Sequence, residues 1–141
     1  MPYITGFLTP VKSADKDRYI ASAQKSWPLF QKYGCLEQVE CWGEDIPPGK
    51  VTGFDLAVKL EPDEVVVFAW LKWPDRATAD ACWSKMESDP DFSDMDMPFD
   101  GKRMMWVGSS PSSKADRATS LAPRPGPTPG RPLTPGATAQ T

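Results

Sequence analysis

Short apolar segments rich in β-branched and aromatic residues recur four times along the chain, which is the pattern of β-strands. The predicted strands are Tyr3–Leu8, Cys35–Trp42, Glu64–Trp73 and Arg103–Gly108. Pro10 is expected to end the first strand, because proline has no N–H to donate to a strand ladder. The third strand, EVVVFAWLKW, is apolar on both of its faces, which indicates a central position in a sheet.

Two segments between these strands repeat apolar residues at the spacing of an α-helix. The first carries the stripe Tyr19, Ala23, Trp27, Phe30 and Tyr33, and the second carries Ala79, Cys82, Trp83 and Met86. Ser13 is expected to cap the first helix, Pro28 to kink it and Gly34 to end it. Asp75 is expected to begin the second helix, and Asp89 to end it where a proline follows.

The resulting order β-α-β-β-α-β predicts an α+β, ferredoxin-like fold, in which two helices cover one face of a four-stranded antiparallel sheet. Phe54–Leu60 is expected to form a short helix or a packed loop before the third strand. The other sheet face would expose Phe68, Trp70 and Trp42, a large apolar patch. We therefore predict a homodimer whose sheets pack face to face.

Composition divides the chain near residue 109. Residues 110–141 contain seven prolines and no aromatic residue, with Leu121 and Leu133 as the large aliphatic residues. Such a segment buries too little apolar surface to offset its ordering entropy, so we predict a folded domain at 1–109 and a disordered Pro-rich tail at 110–141. The tail is rich in Pro, Ala, Arg and Gly, which GC-rich codons encode. This composition suggests the hypothesis that the tail is an out-of-frame extension.

The net charge limits the classes of partner that we expect, and the cysteines indicate the cellular compartment. The chain has a net charge of −3, and residues 1–109 alone carry −6 because the tail is basic, which argues against nucleic acid as the partner. No segment reads as a membrane span or a secretory signal. Cys35 and Cys41 would lie about 20 Å apart on one strand, too far for a disulfide. Free thiols indicate a cytoplasmic protein.

The chain contains no histidine, which excludes Ser-His and Cys-His nucleophiles and most zinc and haem sites. Carboxylates, lysines and tyrosines remain as acid–base groups. Four acidic residues were weighed as calcium ligands and are interpreted instead as turn and cap residues of a solvated loop: Asp91, Asp94, Asp96 and Asp100. We expect no metal and no cofactor. The segment MDMPFDGKRMMW, residues 95–106, is predicted to connect to the last strand and to form one wall of a cleft.

Glu40 is the candidate with the most chemical interest, because it shares a strand face with Trp42 and that face can be buried. A buried carboxylate needs a cationic partner or a raised pKa. We hypothesise that Glu40 meets Arg103 across the dimer, or that both line one cleft with Trp42 and Trp70. These four residues are the predicted ligand site, and Glu40 and Arg103 are the candidate catalytic residues. A structural ion pair or two solvated edge charges are the alternatives.

The stretches VECWGED and MPFDGKRM, within a similarity that spans most of residues 1–107, resemble the YbaA-like family of unknown function. The resemblance implies the dimeric α/β-barrel superfamily, with a homodimer and a cleft between helices and sheet. It implies no activity. After Trp106 the chain departs from the family pattern and continues into the Pro-rich tail.

Three functions remain open at this point. The first is a homodimer that binds a small, partly apolar organic molecule. The second is a cofactor-independent enzyme, such as an isomerase or oxygenase, that uses Glu40 or a tyrosine as acid–base group. The third is a structural or stress-related interaction protein, which a filled core without a cavity would favour.

Overall fold

Strands and helices follow one another in the predicted β-α-β-β-α-β order. The structure, a computed structural model, describes residues 1–117. Its elements are β1 (Tyr3–Lys12), α1 (Lys16–Lys32), β2 (Glu37–Trp42), α2 (Phe54–Ala57), β3 (Glu64–Trp73), α3 (Arg76–Met86), α4 (Pro90–Ser93) and β4 (Met105–Ser109). The helices α2 and α4 are single turns, and a 3-10 turn, Ser13–Asp15, precedes α1.

The four strands form one antiparallel sheet in the order β2-β3-β1-β4, which is the ferredoxin-like topology. The two longest strands, β1 and β3, lie at the centre and pair over ten residues, from Tyr3 opposite Trp73 to Lys12 opposite Glu64. The α+β fold predicted from the sequence is therefore confirmed.

Alternate residues of β3 point to opposite faces of the sheet, and this alternation defines two surfaces. Val67, Ala69, Leu71 and Trp73 are buried on the face that carries α1 and α3, which we call the helix face. Trp73 is fully buried there, with its ring edge-on to Phe30 and Trp83. The main core therefore lies between this face and the helices.

The opposite surface, the open face, contains the alternate residues Phe68 and Trp70 of β3. Residues directly opposite in an antiparallel pair share a face, so Met105 and Val107 of β4 lie there as well. Phe68, Met105 and Val107 are 48%, 44% and 60% exposed. The chain's own helices leave this apolar face largely uncovered, as predicted, although Phe54 of α2 packs on Phe68.

Three local predictions are wrong, each for a physical reason. Pro10 does not end β1, because β4 pairs β1 between Ile4 and Leu8 and leaves Pro10 beside β3 alone, an edge environment that tolerates proline. Ser13 opens a 3-10 turn instead of capping α1. Asp89 begins α4, accepting a hydrogen bond from the Asp91 amide, whereas α3 has already ended at Met86.

Other terminal signals act as predicted. Asp75 accepts hydrogen bonds from the backbone N–H and the hydroxyl of Thr78 and so caps α3. Gly34 follows α1 with a φ of 98°, a left-handed conformation that glycine adopts without strain. Pro28 lies inside α1, and the helix continues past it to Lys32, while the kink at Pro28 stays a prediction.

The predicted boundary near residue 109 lies close to a division of the chain into two units, Met1–Pro111 and Ser112–Thr141. The expectation of a disordered tail falls mostly on residues 118–141, which lie outside the described residues. In the described part of the chain, no helix is long and apolar enough to cross a membrane.

Candidate functional site

Tyr19 of α1 and Glu40 of β2 meet above the helix face of the sheet. The Tyr19 hydroxyl donates a 2.6 Å hydrogen bond to Glu40 Oε1. Gln38 Nε2 lies 3.4 Å from Glu40 Oε2 and donates a 3.0 Å bond to Ser26 Oγ. Tyrosine, glutamate, glutamine and serine thus form one polar chain in largely apolar surroundings.

Small side chains leave space around this polar chain. Glu40 lies directly opposite Ala69 of β3, and α1 presents Ser22, Ala23 and Ser26 above it. The side chains of these alanines and serines have at most two heavy atoms, so they do not fill the space between α1 and the sheet. An inner cavity of about 160 Å³ results.

A wider groove of about 720 Å³ lies outside this cavity, between α1 and the edge strand β2. Its walls include Trp27, Leu36 and Trp42. Tyr19 and Glu40 line both the groove and the inner cavity, so their hydrogen-bonded pair lies between the two spaces.

The far wall of the inner cavity is apolar and rich in sulfur. Four of the chain's six methionines line it: Met86, Met95, Met97 and Met104. Phe92 and Phe99 lie beside them. Residues 95–106 therefore contribute one wall of the cleft, as the sequence predicted. Methionine side chains adapt their shape easily, which suits a cavity that admits a small organic molecule.

The surroundings shift the pKa values of both members of the pair. Loss of solvation raises the pKa of Glu40 above its ordinary value, although the hydrogen bonds from Tyr19 and Gln38 act in the other direction. Burial raises the pKa of the Tyr19 hydroxyl, and the Glu40 carboxylate raises it further. Tyr19 therefore stays protonated as a donor, and Glu40, still open to solvent on one side, is the group that can exchange a proton.

The structure brings two of the four predicted site residues together. Trp42 lies on the same face as Glu40, opposite Val67, and its ring contacts Tyr19 at a centroid distance of 6.3 Å. Trp42 is therefore not part of the open face, where the sequence analysis had placed it beside Phe68. The register of β2 with β3 decides which face Trp42 occupies, and this register could not be read from the sequence.

Trp70 lies on the open face, away from Glu40. It pairs with Val39 in β2, and its Nε1 donates a 3.3 Å hydrogen bond to Glu37 Oε1. The structure does not place Trp70 in the cleft with Trp42, because positions 67 and 70 of one strand point to opposite faces.

Arg103 is held by its own chain at the start of β3. Its guanidinium donates two 2.7 Å hydrogen bonds to the Glu64 carboxylate and further bonds to Asp100 and the Lys59 carbonyl. The Arg103 side chain is 19% exposed and that of Glu64 is 3% exposed. Within one chain Arg103 does not pair with Glu40, and it does not line the cleft.

Sequence reasoning missed Tyr19, Gln38 and Ser26 as site residues. Tyr19 was assigned to the apolar stripe of α1, and its hydroxyl gave no separate signal. Ser22 and Ser26, four residues apart and next to that stripe, are the feature that could have revealed a polar patch facing the sheet.

Two of the acidic residues of the last loop, Asp96 and Asp100, have local partners. Both Asp96 oxygens accept 2.6 Å hydrogen bonds from Arg18, and Asp100 accepts from the Lys102 amide and from Arg103. Among residues 1–117, no three His, Cys, Asp or Glu side chains converge as a metal site would require.

Comparison with known proteins places the chain in a family. The model of a family described as "Protein of unknown function (DUF1428)" matches residues 2–101. The uncharacterized protein YbaA of Escherichia coli strain K12 and its counterpart in Shigella flexneri are each 47% identical over 110 residues, which cover 77% of this chain and 94% of theirs.

Two solved structures match the chain at low sequence identity. A dimeric ferredoxin-like protein from an uncultured marine organism is 16% identical with a TM-score of 0.45, and the match covers 77% of this chain and 92% of that one. An uncharacterized NIPSNAP domain protein from Burkholderia xenovorans is 15% identical with a TM-score of 0.49, over 81% and 98% of the two chains. By the family match and the 47% identity, the chain belongs to the DUF1428 family of proteins of unknown function.

Proposed function

We propose that this protein is a homodimer that binds a small, partly apolar organic molecule in the cleft between α1 and the sheet. The observation that carries the proposal is the cavity itself, which combines apolar walls with the polar pair Tyr19 and Glu40. Binding sites for small molecules are typically concave and mostly apolar, with a few convergent polar groups. This space is too well lined by aromatic and methionine side chains to favour a purely structural interaction protein.

Filling the cavity is the direct test of this proposal. Ala69 lies under the cavity and is 3% exposed, so Ala69→Leu places extra carbon atoms in the space a ligand would occupy. Native mass spectrometry of protein purified from its source is expected to show a retained small molecule in the wild type. We expect the affinity for it to fall at least about tenfold in Ala69→Leu, the loss expected from roughly 1.4 kcal/mol of steric conflict, and the retained fraction to fall with it.

The matched control is Ala21→Leu, the same substitution at an exposed position of α1. It should retain the molecule at wild-type occupancy. A wild-type protein that carries no small molecule in its native mass spectrum, and takes none up from an extract of its source, contradicts ligand binding in the cleft.

Dimerisation is proposed from the uncovered open face. Phe68, Met105 and Val107 expose a contiguous apolar surface of the kind that a second copy can bury, sheet against sheet. Val107→Asp places a carboxylate in this proposed contact. We expect it to raise the dimer dissociation constant at least about 100-fold, because the charge has no partner there.

Trp106→Asp is the control for this substitution. Trp106 is the neighbour of Val107 in β4 and is 61% exposed, but it lies on the helix face. Light scattering after size exclusion should give twice the 15.6 kDa chain mass for wild type and Trp106→Asp, and a single chain mass for Val107→Asp at low micromolar concentration. A monomeric wild type at high concentration would remove the basis for the proposed dimer.

A second candidate function is cofactor-independent catalysis on an activated organic substrate. One observation favours it: Glu40, with its pKa raised, lies at the cavity with a protonated tyrosine bound to it. Such a carboxylate can accept a proton from a weakly acidic carbon and return it to a neighbouring atom, as an isomerase does. Glu40 would be the base and Tyr19 the donor that stabilises negative charge. Within one chain Arg103 bonds to Glu64 and Asp100, so the proposed mechanism does not use it.

The compartment proposed for this function is the cytoplasm. Cys35, Cys41 and Cys82 are all free thiols in the structure, and Cys35 and Cys82 are buried. Free thiols are typical of proteins kept under reducing conditions. The net charge of −6 on residues 1–109 supports a partner other than nucleic acid.

A further inference from the structure

The outer groove has an unusual combination of walls for a ligand site. Three aromatic side chains line it, Tyr19, Trp27 and Trp42, together with the carboxylate of Glu40. The lining includes no lysine or arginine. Glu37 also borders the groove, but its carboxylate accepts from Trp70 on the open face, so Glu40 supplies the negative charge inside.

Glu40 has no cationic partner among its hydrogen bonds. Its oxygens accept from the neutral donors Tyr19 and Gln38, and its surroundings have removed part of its hydration. A partly desolvated carboxylate with neutral neighbours interacts more favourably with a cation than a fully hydrated one does. Among residues 1–117, the hydrogen bonds to the Glu40 carboxylate come from neutral groups, so a bound cation would supply the charge that these bonds do not.

The aromatic walls of the groove also favour a cation. The negative face of an indole ring attracts cations, and tryptophan is the strongest such acceptor among side chains. Trp42 already attracts the Lys16 ammonium group, which lies 5.6 Å from its ring centroid. The net charge of −6 on residues 1–109 also favours the approach of cations over anions.

We propose that the groove binds an organic cation, an ammonium group attached to an apolar or aromatic body. The ammonium lies beside Glu40, and the body lies against Trp27 and Trp42. This inference rests on the proposed small-molecule function and names its ligand class. An anionic ligand is disfavoured because the Glu40 carboxylate repels it, and because Lys16, whose ammonium already lies over the Trp42 ring, is not among the residues that line the groove.

Three probes with the same phenyl body and different charges test the inference: phenethylamine, phenethyl alcohol and phenylacetate. Their dissociation constants are measured by quenching of tryptophan fluorescence in mildly alkaline buffer, which keeps Glu40 ionised. We expect phenethylamine to bind at least about tenfold more tightly than the alcohol, and phenylacetate to bind most weakly.

Glu40→Gln is expected to abolish the preference, with an amine-to-alcohol affinity ratio near one. Glu87→Gln is the matched control, since it removes an exposed carboxylate of the same residue type that does not line the groove, and it should keep the wild-type ratio. Trp42→Leu provides a second variant in case Glu40→Gln folds poorly. It should weaken the amine several-fold more than the alcohol, because the leucine has no ring to attract the charge.

The outcomes separate the two proposals. Equal affinities for amine and alcohol, or an unchanged ratio in Glu40→Gln, overturn the organic cation as the ligand class and leave small-molecule binding standing. Failure of all three probes to bind, together with an empty native mass spectrum, overturns both.

Discussion

Arg103→Ala is expected to lower the melting temperature by roughly 10 °C, while leaving ligand uptake by the folded protein unchanged. The guanidinium is the cation that neutralises Glu64, whose side chain is 3% exposed and accepts two 2.7 Å bonds from it. Without Arg103 this carboxylate stays buried without a cation. Removing one partner of a buried ion pair destabilises a protein more than replacing both partners by apolar residues. Thermal unfolding followed by circular dichroism measures the effect.

The effect of this variant should depend on pH with a defined sign. The hydrogen bonds from Arg103 hold the pKa of Glu64 below its ordinary value of 4.5. The paired carboxylate therefore contributes stability that is fully present above that value and is lost as the pH falls through the folded-state pKa. In Arg103→Ala, Glu64 gains a proton more easily, so the difference from wild type should shrink in acid.

The double variant Glu64→Leu with Arg103→Met is the control, because it removes both charges and keeps the apolar volume. It should melt above Arg103→Ala, as expected when a buried pair is replaced by apolar residues. Loss of ligand uptake in folded Arg103→Ala, with an unchanged melting temperature, would instead support the hypothesis that Arg103 meets Glu40 across the dimer.

Trp73→Ala is expected to lower the free energy of unfolding by about 3–5 kcal/mol. Trp73 is fully buried and packs edge-on against Phe30 and Trp83. Its Nε1 also donates a 3.1 Å hydrogen bond to the buried hydroxyl of Thr5. Truncation leaves a large cavity and removes the partner of that hydroxyl. Urea unfolding followed by circular dichroism measures the change.

Trp106→Ala provides the matched control, since it is the same truncation on the same side of the sheet at a position that is 61% exposed. It should change the free energy of unfolding by less than about 0.5 kcal/mol. Equal losses in the two variants would mean that burial at Trp73 does not determine the stability of the helix face.

The topology could be predicted because local patterns and global fold agree. Ten consecutive residues, Glu64–Trp73, read as a central strand, and β3 has those bounds. With two helical stripes placed between strands, few arrangements other than the ferredoxin-like one remain. Strand ends were less accurate, because Pro10 is tolerated where β4 stops pairing, and that depends on tertiary structure.

The site was predicted in part, and the errors have a common cause. Glu40 and Trp42 were correctly grouped, since residues two apart in a strand share a face. Trp70 and Arg103 were added by assuming how separate strands align. A register offset of one residue exchanges the two faces of a strand. Hydropathy alone does not determine the register where both faces are apolar. The contact between Tyr19 and Glu40 likewise depends on how α1 lies across β2.

The short connection from Arg103 to β4 gives the protein a particular sensitivity to changes in chain length. Arg103 is bound to Glu64 two residues before β4 begins. The number of residues between Arg103 and β4 therefore decides which β4 side chains point to the helix face and which to the open face. Inserting or deleting one residue there would turn Val107 toward the helix face and Trp106 toward the open face. Single-residue length variation at this point would therefore be far more disruptive than most substitutions along the same strand.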